Sequence, residues 1–111
     1  YLAMLFASVD GISKVGSYTG NGTSSSSTQT ISTGFAPRFL ITKNIDTNGS
    51  WNVLDTTRGW GSGNDKRIRL NMDAAQVDDD MGAPTSTGFT LKGDFTDTNV
   101  NGDKFIYYAH A

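Results

Sequence analysis

The chain carries an apolar, strand-like segment at each of its two ends, and this duplication limits the folds it can adopt. The first segment consists of Tyr1, Leu2, Ala3, Met4, Leu5, Phe6 and Ala7, and the closing segment, residues 105–111, reads FIYYAHA. Both segments begin with an aromatic residue, continue with large apolar residues and end in Ala. Because one domain needs only one such terminal strand, the pattern predicts a repeat unit whose first strand joins another copy or repeat.

Residues 1–7 are apolar at both alternating sets of positions, which is typical of a strand that is buried on both faces. On an open sheet edge such a strand would promote aggregation, so we expect it in the centre of a sandwich. Burial of its Leu, Met and Phe side chains at about 1.5 to 3 kcal/mol each would contribute on the order of 6 to 12 kcal/mol. Three arrangements stay open: the first strand of its own domain beside the C-terminal strand, donation to another subunit, or docking as the tail of a preceding repeat.

The rest of the chain predicts an all-β domain. All 11 acidic residues are Asp, and 13 Gly accompany many Ser, Thr and Asn, so turn and strand formers replace helix formers. Alternating or apolar runs bounded by turn residues predict strands near residues 1–7, 14–20, 28–33, 37–44, 50–56, 66–71, 87–92 and 104–110. We therefore expect an antiparallel β-sandwich, immunoglobulin-like or jelly-roll-like, with about seven to eight strands. Residues 1–14 would be a donor-like strand and linker, and residues 15–111 the sandwich module.

Local signals refine this interpretation. Asn48-Gly49 and Asn101-Gly102 lie between strand patterns and predict tight hairpin turns with positive φ at both central residues. Residues 20–27 and 60–65, rich in Gly and Ser, predict an exposed loop tip and a mobile connection. One helical turn is expected at most, within residues 71–77. Asp55 and Arg58 are placed to form an ion pair across a turn.

Charge and composition exclude several classes of function. A formal net charge of −2 and only a short basic run at Lys66, Arg67 and Arg69 argue against a nucleic-acid partner. No apolar stretch approaches the roughly 20 residues of a membrane-spanning helix, so no membrane insertion is expected. The absence of Cys excludes disulfides and Cys-based zinc sites.

Carbohydrate binding is the main alternative to a structural role. Trp60, flanked by two Gly residues, and Tyr18 could stack on the apolar face of a sugar ring, whereas Trp51 is in phase with Val53 and is assigned to the core. Asn21 and Asn48 each begin an N-glycosylation sequon in a predicted turn. The residues therefore offer a possible glycan surface and two possible modification sites.

Metal binding and catalysis have little support. Residues 97–103 match the first positions of a calcium loop, but Tyr108 stands where the bidentate Glu should be, so a polar hairpin loop is the better interpretation. His110 is the only His, and no Cys or Glu is present to act as nucleophile or general acid. We expect no catalytic residues, no metal and no cofactor.

Several motifs in order carry a family resemblance over residues 15–111: VGSYTGNG (15–22), ISTGFAPRFLI (31–41), WNVLDTTRG (51–59), STGFTL (86–91) and GDKFIYYA (102–109). Together they resemble β-sandwich modules, often in tandem, of tail-fibre-like proteins of aquatic phages and related environmental sequences. The resemblance implies an extracellular or virion fibre module and carries over no catalytic or binding residue.

The sequence thus predicts a non-enzymatic structural subunit of a fibre or filament at an extracellular or virion surface. Its expected partners are other copies of itself or adjacent tandem repeats, joined by donation of residues 1–7. The alternative is a carbohydrate-binding receptor-recognition module of a phage tail fibre, with a cell-surface glycan as partner.

Overall fold

A computed structural model describes residues 1–111 as nine β-strands in two antiparallel sheets. The larger sheet has six strands in the order β1-β9-β3-β4-β5-β6, and the smaller sheet has three in the order β2-β8-β7. The strands are β1 (Ser13–Thr19), β2 (Thr28–Ser32), β3 (Phe39–Asn44), β4 (Trp51–Asp55), β5 (Asp65–Arg69), β6 (Val77–Asp79), β7 (Pro84–Thr85), β8 (Gly88–Lys92) and β9 (Lys104–His110). A single 3-10 turn, Thr56–Arg58, follows β4.

Aromatic side chains from both sheets form the core between them. Phe89 of the small sheet packs edge-on against Tyr107 of the large sheet, with ring centroids 5.3 Å apart. Tyr18 stacks on Phe105 at 5.1 Å and also approaches Phe89. This arrangement confirms the predicted all-β, antiparallel fold and is compatible with a β-sandwich, with nine strands rather than about seven to eight.

Seven of the eight predicted strands are present, and the exception is the first. Residues 1–7 form no strand and do not enter either sheet, so the arrangement in which they are the first strand of their own domain, beside the C-terminal strand, is wrong. The short strands β6 and β7 were not predicted, because one consists mainly of Asp and the other begins with Pro. The predicted helical turn within residues 71–77 is absent, and this segment runs irregularly into β6.

The hairpin predicted from Asn48-Gly49 exists, but its turn differs from the prediction. Strands β3 and β4 pair in antiparallel fashion through a six-residue connection, residues 45–50. Neither residue has positive φ, because the side chain of Asn44 accepts hydrogen bonds from the backbone of Asp46 and Thr47 and shapes the turn instead. At the second predicted turn, Gly102 has a φ of 86° but Asn101 has no positive φ. This turn does not close a hairpin, because β9 pairs with β1 and β3 and not with β8.

The corner after β4 uses a different ion pair from the one predicted. Asp55 pairs with Arg38 at 2.9 Å and also accepts a hydrogen bond from the backbone N–H of Thr57, capping the 3-10 turn. The guanidinium of Arg58 instead donates to Gln76. The Asp55–Arg58 pair is therefore absent, because Asp55 points to the neighbouring strand.

The connection 60–65 is anchored at both ends rather than loosely attached. Trp60 and Asp65 are buried, and the carboxylate of Asp65 accepts hydrogen bonds from the backbone of Gly61 and Met81, each at 2.9 Å. Within residues 20–27, Gly20 and Gly22 are buried while residues 23–26 form the exposed tip. No helix of the structure has the length and apolar character needed to cross a membrane.

Candidate functional site

The outward face of the six-stranded sheet carries an unusual amount of apolar surface. Strand register places Val15 beside Tyr108, Tyr108 beside Ile41, and Ile41 beside Val53, which in turn lies beside Ile68. These five residues form one apolar row across five neighbouring strands. Because adjacent strands lie about 4.8 Å apart, the row is about 19 Å long.

The N-terminal ribbon, defined as residues 1–7, lies over this face. Side chains of the ribbon and the sheet bound a common cavity of about 750 Å³. The ribbon contributes Leu2, Met4 and Phe6, in the alternation expected of an extended chain. The sheet side of the cavity, called the outer groove below, is bounded by Val15, Ile41, Trp51, Leu70, Ile106 and Tyr108.

The ribbon contacts the groove through side chains alone. Phe6 and Tyr108 have ring centroids 4.5 Å apart, but no backbone hydrogen bond involves residues 1–6. Leu2 remains 90% exposed and Leu5 94% exposed. An apolar segment with this much exposure and no backbone pairing gains little from its present position.

The ribbon is fixed to the domain at its C-terminal end. The hydroxyl of Ser13 donates to the carbonyl of Ala7 at 2.8 Å, and the backbone N–H of Val15 donates to Ser8 Oγ at 3.0 Å. A tight turn from Val9 to Ser13 follows, with Gly11 at a φ of 71°, which only Gly adopts readily. The ribbon therefore leaves the domain at a defined point beside β1.

The two aromatic residues predicted to contact a glycan are both in the core. Trp60 is 3% exposed and packs near Phe89, and Tyr18 is also buried and donates a hydrogen bond from its hydroxyl to the carbonyl of Thr98 at 2.7 Å. Burial raises the pKa of Tyr18 far above its usual value. Neither ring can stack on a sugar. The exposed tryptophan is Trp51, at 41%, which reverses the predicted assignment.

The two sequon asparagines differ in their surroundings. The side chain of Asn21 donates to the carbonyl of Thr28 at 3.0 Å and accepts from Asn99 at 3.2 Å. A glycan would replace a hydrogen of the Nδ2 that makes the first of these contacts. Asn48 is exposed on the β3–β4 connection. Of the two predicted modification sites, Asn48 is the more accessible one.

The loop that resembled a calcium site is held by protein donors. Asp97 accepts hydrogen bonds from the backbone of Ser50 and from Arg67, each at 2.7 Å, and Asp103 accepts from Asn44 at 2.8 Å. No group of three or more potential ligand side chains is arranged around a metal position. The carboxylates fasten the loop to β3, β4 and β5.

His110 and Asp65 are likewise engaged in structural contacts. The ring Nδ1 of His110 lies 2.8 Å from the hydroxyl of Tyr108. Burial raises the pKa of the Asp65 carboxyl, while its two backbone hydrogen bonds act in the opposite direction. Neither group lines the outer groove.

Sequence reasoning did not identify the outer groove as a surface. The available signal was β9 itself, where the apolar residues 105–109 occupy both faces of one strand. Its inward set, including Phe105 and Tyr107, is buried in the core, and its outward set, Ile106 and Tyr108, borders the groove.

An antiparallel all-β module with an apolar outer face and an exposed apolar ribbon is the class of protein that this structure defines. The chain belongs to the family described as a domain of unknown function (DUF7483), whose match spans residues 1–111 and so includes the ribbon. Neither a curated protein nor a solved structure gave a significant match.

Proposed function

We propose that this chain is a non-enzymatic structural subunit of an extracellular or virion fibre, and that copies assemble by donating the N-terminal ribbon to a neighbour. One observation carries the proposal: residues 1–7 are apolar, yet they are exposed and pair with no strand of their own domain. Exposed apolar patches on folded domains mark interaction surfaces. A second copy that covers the ribbon would bury these side chains.

Burial of apolar side chains favours association. Ordering the ribbon on another copy would bury Leu2, Met4 and the exposed part of Phe6, at about 1.5 to 3 kcal/mol for each fully buried side chain. Fixing the ribbon costs about 1 to 2 kcal/mol of backbone entropy per residue, which is of the same order. Apolar side chains of the receiving copy must therefore also leave water for the contact to be stable.

The polar groups support a structural role. The sequence offered three residues with side chains suited to metal binding or catalysis, Asp97, Asp103 and His110. In the structure, both Asp side chains accept hydrogen bonds from protein donors, and His110 contacts the hydroxyl of Tyr108. These contacts link loops to strands, as expected in a module that must keep its shape under load.

The test is to compare the full chain with a variant lacking residues 1–7. All strands and all core residues lie at Ser13 or beyond, so the truncated chain retains the elements of the fold. We expect the full chain to form large particles by light scattering and filaments by negative-stain imaging, and the truncated chain to be monomeric.

A full-length control addresses effects of truncation itself. Replacing Leu2 and Met4 by Lys keeps the chain length and should abolish assembly to the same extent, with an unchanged circular dichroism spectrum. Assembly that persists in both variants, or native material that contains only discrete single copies, would show that the ribbon does not build a fibre.

A further inference from the structure

The outer groove and the ribbon occupy the same side of the molecule. The groove is bounded by outward side chains of β1, β9, β3 and β4 together with Leu70, and the ribbon leaves the domain beside β1. A donor and an acceptor surface on one copy can each bind a different copy, and such a head-to-tail contact extends into a filament when its rotation does not close.

The fit between ribbon and groove is visible within one copy. Leu2, Met4 and Phe6 line the same cavity as Trp51 and Ile106, and the ring of Phe6 packs against that of Tyr108 at a tilt of 34°. Six extended residues span at most about 20 Å. This length is sufficient to cross the four neighbouring strands that border the groove, a width of about 14 Å.

The fit within one copy is incomplete. The cavity of about 750 Å³ that ribbon and sheet bound together is open to solvent, and Leu2 is 90% and Met4 67% exposed although both border it. Apolar side chains that stay in water gain little of the free energy that burial would supply. The ribbon therefore contacts the right surface without filling it.

We propose that the outer groove is the receiving site for the ribbon of a second copy. This inference rests on the proposed function and adds to it that the ribbon binds the face of the six-stranded sheet rather than a free sheet edge. In the assembled form, Leu2, Met4 and Phe6 of the second copy face the groove, as the same three residues do within one chain. The ribbon of the second copy thus replaces the chain's own ribbon, which is largely exposed.

The reach of the ribbon fixes where two copies meet. Because the ribbon is tethered at Ala7 beside β1 and extends about 20 Å at most, the acceptor groove must lie within that distance of the donor's β1. The receiving groove of one copy therefore lies next to β1 of the donor.

The experiment compares matched Arg substitutions on the two sheets in the full chain. Ile106→Arg places a charge in the groove at a half-exposed position on β9, and Thr30→Arg places one on the exposed face of β2. We expect Ile106→Arg to be monomeric at concentrations at least tenfold above those at which the parent assembles, and Thr30→Arg to assemble like the parent. Leu70→Arg is a second groove variant. Because Leu70 is 53% exposed, the Arg side chain can reach solvent without disturbing the fold.

Mixing two defective variants gives the decisive readout. Ile106→Arg retains a ribbon and lacks a usable groove, whereas the chain without residues 1–7 retains a groove and lacks a ribbon. An equimolar mixture should form a species of about twice the 11.9 kDa of one chain and nothing larger. In a Trp60→Phe background, emission of Trp51 should shift to shorter wavelength on pairing.

The outcomes separate the two proposals. If removal of residues 1–7 abolishes assembly but both groove variants assemble normally, the ribbon builds the fibre and the groove is not its receptor. A mixture of folded variants that fails to pair overturns the groove assignment as well. If native mass spectrometry of the monomeric protein detects a bound small apolar molecule that Ile106→Arg does not bind, the groove is the site of that molecule and the second-copy assignment is wrong.

Discussion

Arg67 forms an ion pair with Asp97 at 2.7 Å, and both side chains are largely shielded from water. The same guanidinium contacts Asp79 at 2.8 Å, so one buried cation neutralises two carboxylates from different parts of the chain. The pair links β5 to the loop before β9. It also explains why a residue from the short basic run faces the core instead of solvent.

The first prediction concerns this cation. Arg67→Ala removes the ion-pair partner of Asp79 and leaves Asp97 with only the more distant Arg69, at 3.5 Å. We expect a loss of about 3 to 5 kcal/mol in the free energy of unfolding, measured by urea denaturation. Lys66→Ala is the control, because Lys66 and Asp78 are both about half exposed and 3.7 Å apart. The control should lose at most about 1 kcal/mol. Equal losses in both variants would contradict a structural role for Arg67.

A second prediction concerns the buried hydroxyl of Tyr18. Tyr18→Phe leaves the carbonyl of Thr98 without its donor, and we expect a loss of about 1 to 3 kcal/mol in the free energy of unfolding. Tyr108→Phe removes a partly exposed hydroxyl whose partner His110 remains accessible to water, so it should cost less. A larger loss for Tyr108→Phe would contradict this assignment.

The same tyrosine predicts a dependence on alkaline pH. Burial raises the pKa of Tyr18 above the ordinary 10.0, so the folded chain keeps a proton that the unfolded chain releases. The stability contribution is complete below pH 10.0 and falls as pH rises beyond it. Absorbance titration of the folded protein should show that the phenol of Tyr18, identified by comparison with Tyr18→Phe, ionises well above pH 10.0. Ionisation of Tyr18 at pH 10.0 in folded protein would refute the prediction.

The third prediction uses the raised pKa of Asp65. At pH values between 3.8, the ordinary pKa of Asp, and the raised pKa in the folded state, the folded chain binds more protons at Asp65 than the unfolded chain. The contribution of Asp65 to the free energy of unfolding is therefore complete below pH 3.8 and falls as the pH rises through this range. Asp65→Asn removes the titration and also loses one of two backbone acceptors. We expect the parent to exceed the variant in stability by more at pH 3.8 than near neutral pH, as measured by denaturant unfolding. A carboxyl pKa at or below 3.8 by NMR would contradict this expectation.

The fourth prediction tests the packing between β2 and β8. A Cβ added at Gly88 would lie 2.0 Å from the carbonyl oxygen of Ile31, and that backbone is fixed by the strand pairing. Gly88→Ala should therefore cost about 2 to 3 kcal/mol or more in the free energy of unfolding. Gly61→Ala is the control, since its Cβ would meet no atom within 4 Å. A neutral Gly88→Ala variant would mean that the two strands are separated more widely.

The sequence predicted seven strand positions well because alternation and turn residues are local signals. It did not predict which face of a strand is buried. Trp51 and Val53 do share one face, as expected from their phase, but that face points outward, and Asn52 with Leu54 points into the core. Thr42 and Asn44 on β3 are buried in the same way. Because both faces of the six-stranded sheet carry apolar residues, the sequence pattern does not show which alternating set of side chains faces the core. Only the position of the second sheet determines this.

The ribbon shows the second limit of local signals. Its composition predicted burial in a sheet beside the C-terminal strand, but whether it can pair there depends on which places the rest of the fold has already filled. Here β9 already has β1 and β3 as neighbours, so no place beside the C-terminal strand is free. The buried Arg67 is a similar case, because its two Asp partners are 12 and 30 residues away.

The fifth prediction follows from the reversed tryptophans. Trp51 lies at the outer groove and is 41% exposed, whereas Trp60 is 3% exposed in the core. In monomeric protein without residues 1–7, acrylamide should quench the emission of a Trp60→Phe variant strongly and that of a Trp51→Phe variant weakly. In the assembled full chain, the quenching of Trp51 should fall several-fold while that of Trp60 is unchanged, because only the groove becomes covered. Unchanged quenching of Trp51 upon assembly would mean that neighbouring copies meet on another surface.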